Sequence, residues 1–266
     1  MDIKRITGVN ESEEILLTKG ISDLIFSCNL PLDEIQNERI SVFVETASGS
    51  RDICRNVLLK DFILLGTFQE DIVQFGKRKA EFMQTIAKIE LTEDGGFIEL
   101  FENETIKFKL TNLQSNKVYA LDGIEGAFPT KEILRYERKV VSANVTSQDY
   151  DVRGYDLISL KKHEDIEEID FRMDNGTTIK MTPFEMETES KAIDTFAFFK
   201  RISFADTDNE TIEFQMPQHG IPDRIVFPLV GVNSITIRKN TGNDLDLHLR
   251  IDEGDYNQYG HKFAKN

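Results

Sequence analysis

Four histidines (His163, His219, His248 and His261), two cysteines (Cys28 and Cys54) and an acidic run with Asp206, Asp208, Asn209 and Glu210 are the residues whose types suit metal, redox or acid–base chemistry. The histidines are scattered. None joins the His-x-His pair and downstream Glu of a cupin-type metal enzyme, so each is expected at the surface or in a hairpin. Two cysteines are too few for a disulfide framework and are not spaced as a redox motif, which leaves them as small buried hydrophobes. The run "ADTDNETIE" offers hard oxygen ligands of the kind calcium accepts, but it lacks the Gly and the spaced final Glu of an EF-hand loop. A structural calcium and a solvated hairpin loop are both open readings of it, and "DEGDY" at 252–256 is treated alike.

No nucleophile elbow, phosphate-binding glycine loop or Cys-His pair stands at a recognisable spacing. With 47 Asp and Glu, close carboxylate pairs arise by chance, so no acid–base dyad is assigned. The sequence nominates no catalytic or cofactor-binding residue, and a non-enzymatic role is expected.

A formal charge of -15 argues against nucleic acid as a direct partner, because phosphate neutralisation needs clustered Lys and Arg. "MDIKRITGVNESEE" has no apolar core region and no run approaches the length of a membrane span, so cytoplasmic synthesis without export is expected. Asn-x-Ser/Thr triplets at Asn10, Asn103, Asn144, Asn175 and Asn209 then read as turn chemistry rather than glycan sites.

The elements that would position these residues are strands. In "FRMDNGTTIKMTP" (Phe171 to Pro183), Ile169, Phe171 and Met173 alternate with polar residues, as do Ile179 and Met181. That period of two marks a strand with one buried face, and Asn175-Gly176 supplies the positive φ of a tight hairpin. Similar patterns run through "RISVFVETASGS", "GGFIELFENET" (Ile98, Leu100), "TIKFKLTN", "YDLISL", "TIEFQM", "NSITIRKN" and "LDLHLRID". Two stretches read as helix instead: residues 56–75, with Leu58, Phe62 and Leu65 on one face, and 189–204, with Ile193, Phe196 and Phe199. A third short helix is expected after Pro129 and Thr130.

The halves repeat at an offset of about 129 residues, which lays Val42 on Phe171, Ile106 on Ile235, Phe108 on Ile237 and Val118 on Leu247. A helix follows the same strand in each. The predicted fold is all-β, two tandem eight-stranded jelly rolls with short inserted helices: 1–126, a connecting helix and linker at 127–138, and 139–266 with a C-terminal tail.

The run "LRYERKVVSANVTSQDYDVRGYDLISLKKHEDIEEIDFRMDNGTTIKMTP", Leu134 to Pro183, resembles the opening of the second jelly roll in a family of viral major capsid proteins. The family is that of icosahedral bacteriophages with an internal membrane, of the corticovirus type and of the lipid-containing phages of flavobacteria. "IQNERISVFVETASGSRDICRNVLLKDFILL" is similar to the equivalent part of the first barrel. The resemblance implies a homotrimer forming a capsomer of six barrels with pseudo-sixfold outline, packed against neighbouring capsomers into a virion shell. It also implies penton and minor membrane-associated proteins as partners, and lipid headgroups beneath the shell. The basic residues Lys4, Arg5, Lys262 and Lys265 are read as short ends that meet those headgroups. The alternative is a receptor- or carbohydrate-binding β-sandwich of a phage spike, with Tyr256 and Tyr259 as contact residues; six Tyr and no Trp count against a sugar-stacking platform.

Overall fold

The structure, a computed structural model, describes residues 1–46, 49–68, 73–130, 132–193, 197–205, 211–221 and 224–253. The acidic run at 206–210, His261, Tyr256, Tyr259, Lys262 and Lys265 lie outside the described residues.

The first half contributes β1 (Asp2–Thr7), β2 (Ile15–Leu17), β3 (Asp23–Cys28), β4 (Arg39–Thr46), β5 (Gly49–Leu58), α1 (Leu59–Gly66), β6 (Gln74–Arg78), β7 (Glu81–Glu90), β8 (Thr105–Thr111) and β9 (Val118–Ile124). The second contributes β10 (Ile133–Val141), β11 (Ser147–Asp151), β12 (Tyr155–Lys161), β13 (Ile166–Met173), β14 (Thr178–Met181), α2 (Pro183–Ile193), β15 (Ala197–Ala205), β16 (Thr211–His219), β17 (Arg224–Pro228), β18 (Val232–Lys239) and β19 (Leu245–Glu253).

Strand order repeats. β1-β9-β3-β7 faces β2-β8-β4-β5 in the first half, and β10-β19-β12-β17 faces β11-β18-β13-β14 in the second. Setting aside β6 and the β15–β16 hairpin, each half has eight strands, and each sheet takes the first, eighth, third and sixth or the second, seventh, fourth and fifth of them. This is the jelly roll, and the chain is two of them in tandem. The halves differ slightly in register. Val42 pairs with Phe108, whereas Phe171 pairs with Ile235, two residues from what a constant offset requires. Val118 and Leu247 are also not counterparts: Tyr119 and Leu121 enter the core from β9 as Leu247 and Leu249 do from β19, a slip of one residue.

Alternation explains most strands. In β8, Ile106, Phe108 and Leu110 are buried between partly exposed neighbours, and β18 repeats this with Ile235 and Ile237. Several expectations fail. Residues after Pro129 form β10, not a helix, because Leu134 and Tyr136 pack into the first barrel's core. The second-half helix lies earlier than expected: Thr182 and Glu185 make a reciprocal capping box that starts α2, and the Phe198–Phe199 region is strand β15. Phe196 lies outside the described residues. Ile98 is buried, but "GGFIELFENET" forms no named strand.

In the β13–β14 hairpin only Gly176 takes positive φ (+83°). Asn175 instead accepts hydrogen bonds from the Thr177 backbone N–H (2.9 Å) and hydroxyl (2.6 Å). Ile179, expected on the buried face, is 47% exposed, because β14 is the outer strand of its sheet.

Candidate functional site

The densest polar constellation among the described residues lies where the barrels meet. There β10 bridges in parallel to β5 at Tyr136 and Cys54, merging one sheet from each barrel into an eight-stranded sheet. The first barrel's core continues through Ile133, Leu134 and Tyr136 to Leu157, Ile221 and Val226 of the second half. Phe62 of α1 meets the Tyr136 ring edge-on at 4.7 Å, and the Tyr136 hydroxyl donates to the Glu90 carbonyl (2.7 Å). The barrels are thereby joined through a shared sheet and a continuous core.

α1 sits in this junction with every residue buried, packed on β4, β5 and β7 of its own barrel and on β12 and β19 of the other. Its Asp61 carboxylate is wholly buried. Oδ1 accepts from the Ser159 hydroxyl at 2.6 Å, while His248 Nδ1 (3.0 Å) and Arg224 Nη1 (3.3 Å) stand at ion-pair distance from Oδ2 without hydrogen-bond alignment. Burial alone would push the carboxyl up; Arg224, His248 and Ser159 outweigh it and hold it below the usual carboxylate range. His248 Nε2 accepts from the Leu58 backbone N–H (3.3 Å), so the ring's proton belongs on Nδ1, facing Asp61.

Two arginine bridges frame the pair. Arg250 donates to Asp156 (2.9 Å) and to the Leu65 carbonyl (2.8 Å), and Asp246 accepts from Arg39 of the first barrel (2.9 Å) and Arg138 (2.8 Å). Charges are therefore spent on gluing barrel to barrel.

The other nominated residues are dispersed. His248 is the correction among the histidines: it is fully buried in β19, not at a surface or hairpin. His163 is half-buried and accepts from the Asp165 backbone N–H (3.1 Å); His219 ends β16. Cys28 and Cys54 are free and buried, and burial pushes the Cys28 thiol up to about 12 and Cys54 higher still. Among the described residues no group of three His, Cys, Asp or Glu could hold a metal, and no helix is long and apolar enough to cross a membrane. Lys4 and Arg5 do not hang free as basic ends: both lie in β1, and Arg5 donates to Glu81 (2.8 Å).

No protein-family model matches the chain, and no curated protein does. Among solved structures, the STIV MCP, a major capsid protein, is similar over 100% of this chain and 97% of its own, with a TM-score of 0.55 at 10% identity. The major capsid protein P2 from Bacteriophage PM2 covers 97% and 96% respectively, at a TM-score of 0.49 and 12% identity. The mavirus major capsid protein covers 96% and 86%, at 0.37 and 9%.

Proposed function

We propose that this chain is a viral major capsid protein that works by self-association into an icosahedral shell. The observation that carries the reading is the end-to-end likeness in fold to the STIV MCP, both barrels included and almost nothing left over on either chain. Fold alone hosts many functions, so the junction matters as well. A binding module needs an open surface on one barrel, whereas a tile needs two barrels locked at one angle. The shared sheet and the buried Asp61–His248–Arg224 cluster lock them.

In this reading the chain has a structural rather than catalytic role. Three chains close into a capsomer with pseudo-sixfold outline, capsomers pack edge to edge, and the shell overlies an internal membrane in a bacteriophage virion made in the host cytoplasm. Penton and membrane-associated virion proteins are the further partners. The strongly acidic surface keeps unassembled tiles soluble.

Copy number tests the function. Quantitative mass spectrometry of purified parent particles should find this chain as their most abundant protein. A few copies confined to vertices would assign it to a spike instead.

A further inference from the structure

Among the Asn-x-Ser/Thr triplets only Asn175-Gly176-Thr177 places glycine after the asparagine, and no other Asn in the chain is followed by Gly. A following residue without Cβ leaves its backbone nitrogen open to the asparagine side chain. The pair sits at the exposed tip of the β13–β14 hairpin, where Gly176 has φ of +83° and nothing lies within 4 Å of the carbon that a side chain there would add.

The Asn175 amide is held by two donors. Its Oδ1 accepts from the Thr177 backbone N–H (2.9 Å) and from the Thr177 hydroxyl (2.6 Å). A backbone N–H can only donate, so the atom it meets is the carbonyl oxygen and not the amide nitrogen. Two donors aimed at that oxygen draw electron density from Cγ and are already in place for an oxyanion. One bond opposes attack on Cγ: the Gly176 N–H donates to the Met173 carbonyl (3.1 Å) and has to let go first. It spans an exposed tip, where local opening displaces no packed neighbour.

We propose that Asn175 is a self-modification site, at which the turn promotes conversion of the side-chain amide to a carboxylate, with water as the co-reactant. The deprotonated Gly176 nitrogen attacks Asn175 Cγ, and the new N–Cγ bond leaves the negative charge on Oδ1 between the two Thr177 donors. As the carbonyl re-forms, the Cγ–Nδ2 bond breaks. The proton lost by Gly176 returns through solvent to the departing nitrogen, which leaves as ammonia. Water then opens the resulting succinimide ring with no change in oxidation state. Opening at Cγ gives an α-linked aspartate at position 175; opening at the main-chain carbonyl gives an isoaspartate, in which the chain runs through Cβ and Cγ. Either product sets a new negative charge beside Asp174. The isoaspartate also puts an extra carbon into the turn that joins β13 to the outer strand β14, next to the last paired residues, Arg172 and Thr178.

Peptide mapping by mass spectrometry of the full chain, incubated in mildly alkaline buffer with and without guanidinium chloride, tests it. In the folded protein Asn175 should convert faster than any other asparagine, to a mixture of aspartate and isoaspartate. Thr177→Val keeps the backbone donor and the side-chain shape but removes the hydroxyl, and should slow the folded reaction about threefold to tenfold, the value of one hydrogen bond. Thr177→Ser, which keeps the hydroxyl, should react as the wild type does. In denaturant the turn is lost, and all three chains should convert at the same rate. A folded wild type that stays intact while the denatured chain reacts would mean that the Gly176 bond to Met173 protects the turn, and would overturn the proposal. Equal folded rates for wild type and Thr177→Val would do the same. A difference between them that persists in denaturant would place the effect of Thr177 outside the turn and overturn it as well.

Discussion

α1 and α2 begin from the same architectural position and end in opposite environments. The first is sealed in a polar, charge-bearing junction; the second presents a phenylalanine to solvent. Both pack on equivalent strands, so the contrast comes from the neighbour. Within the chain α1 is covered by β12 and β19 of the second barrel, and α2 has no such cover among the described residues. The covered position is also where Asp61 and Arg224 are buried together.

The contrast can be broken first at Asp61. Asp61→Ala would leave Arg224 buried without its counter-charge and Ser159 and His248 without their acceptor, and should cost about 3–5 kcal/mol in urea unfolding. Glu185→Ala, at the third residue of α2 as Asp61 is of α1, removes only the capping contact with Thr182 and should cost about 1 kcal/mol. Equal losses would mean that the junction cluster is not what holds the barrels together.

Glycines sharpen the comparison at a smaller scale. A Cβ on Gly66, at the end of α1, would come within 2.5 Å of Ile89 Cγ2 and 3.1 Å of the Tyr136 hydroxyl, so Gly66→Ala should cost about 1–3 kcal/mol by overpacking. At Gly176 nothing lies within 4 Å of the added carbon, and the obstacle is the φ of +83° alone. Gly176→Val should cost about 1–2 kcal/mol while the protein stays folded. Thermal melts of both variants would check this; collapse of the Gly176 variant alone would show that the hairpin tip is packed in ways its open surroundings do not indicate.

The smallest effect is a pH dependence. Burial, aided by the Arg224 charge, pushes the Lys60 amine down to about 8. The folded chain thus holds that proton less tightly than the unfolded chain, and the charged amine is a constant penalty below about pH 8 that is relieved as pH rises toward the ordinary lysine value. The difference in stability between wild type and Lys60→Met should shrink over that interval. Asp61 and Asp246 act in the opposite direction: both are held below the ordinary carboxylate range, so their contribution is present above about pH 4 and lost as acid falls through it. A difference between wild type and Lys60→Met that stays flat from pH 8 to 10 would contradict the Lys60 assignment.

What could be read from the sequence follows from how many faces of a strand meet water. β4, β8, β13 and β18 each have one wet face, and their alternation announced both the strands and the duplication. β3, reading Asp-Leu-Ile-Phe-Ser-Cys, is buried at nearly every position and carries no such period. β19 misled in another way. Leu245, Leu247 and Leu249 face the core, and the intervening Asp246, His248 and Arg250 look like a solvated face. That face is the junction, and no local pattern distinguishes water from a second barrel. Pro129 and Thr130 imitate a helix start ahead of β10, whose charged residues pair along its own sheet, as Arg138 does with Asp246 of β19. The α2 start was legible as Thr182-x-x-Glu185, a capping box outweighed by the Phe spacing that follows it.

The central claim is that the locked pair of barrels is a tile. Cryo-electron microscopy of the purified chain at high concentration tests it most directly. The account predicts threefold particles with six lobes of alternating kind around a ring. Two-lobed monomers as the sole species under those conditions would contradict it.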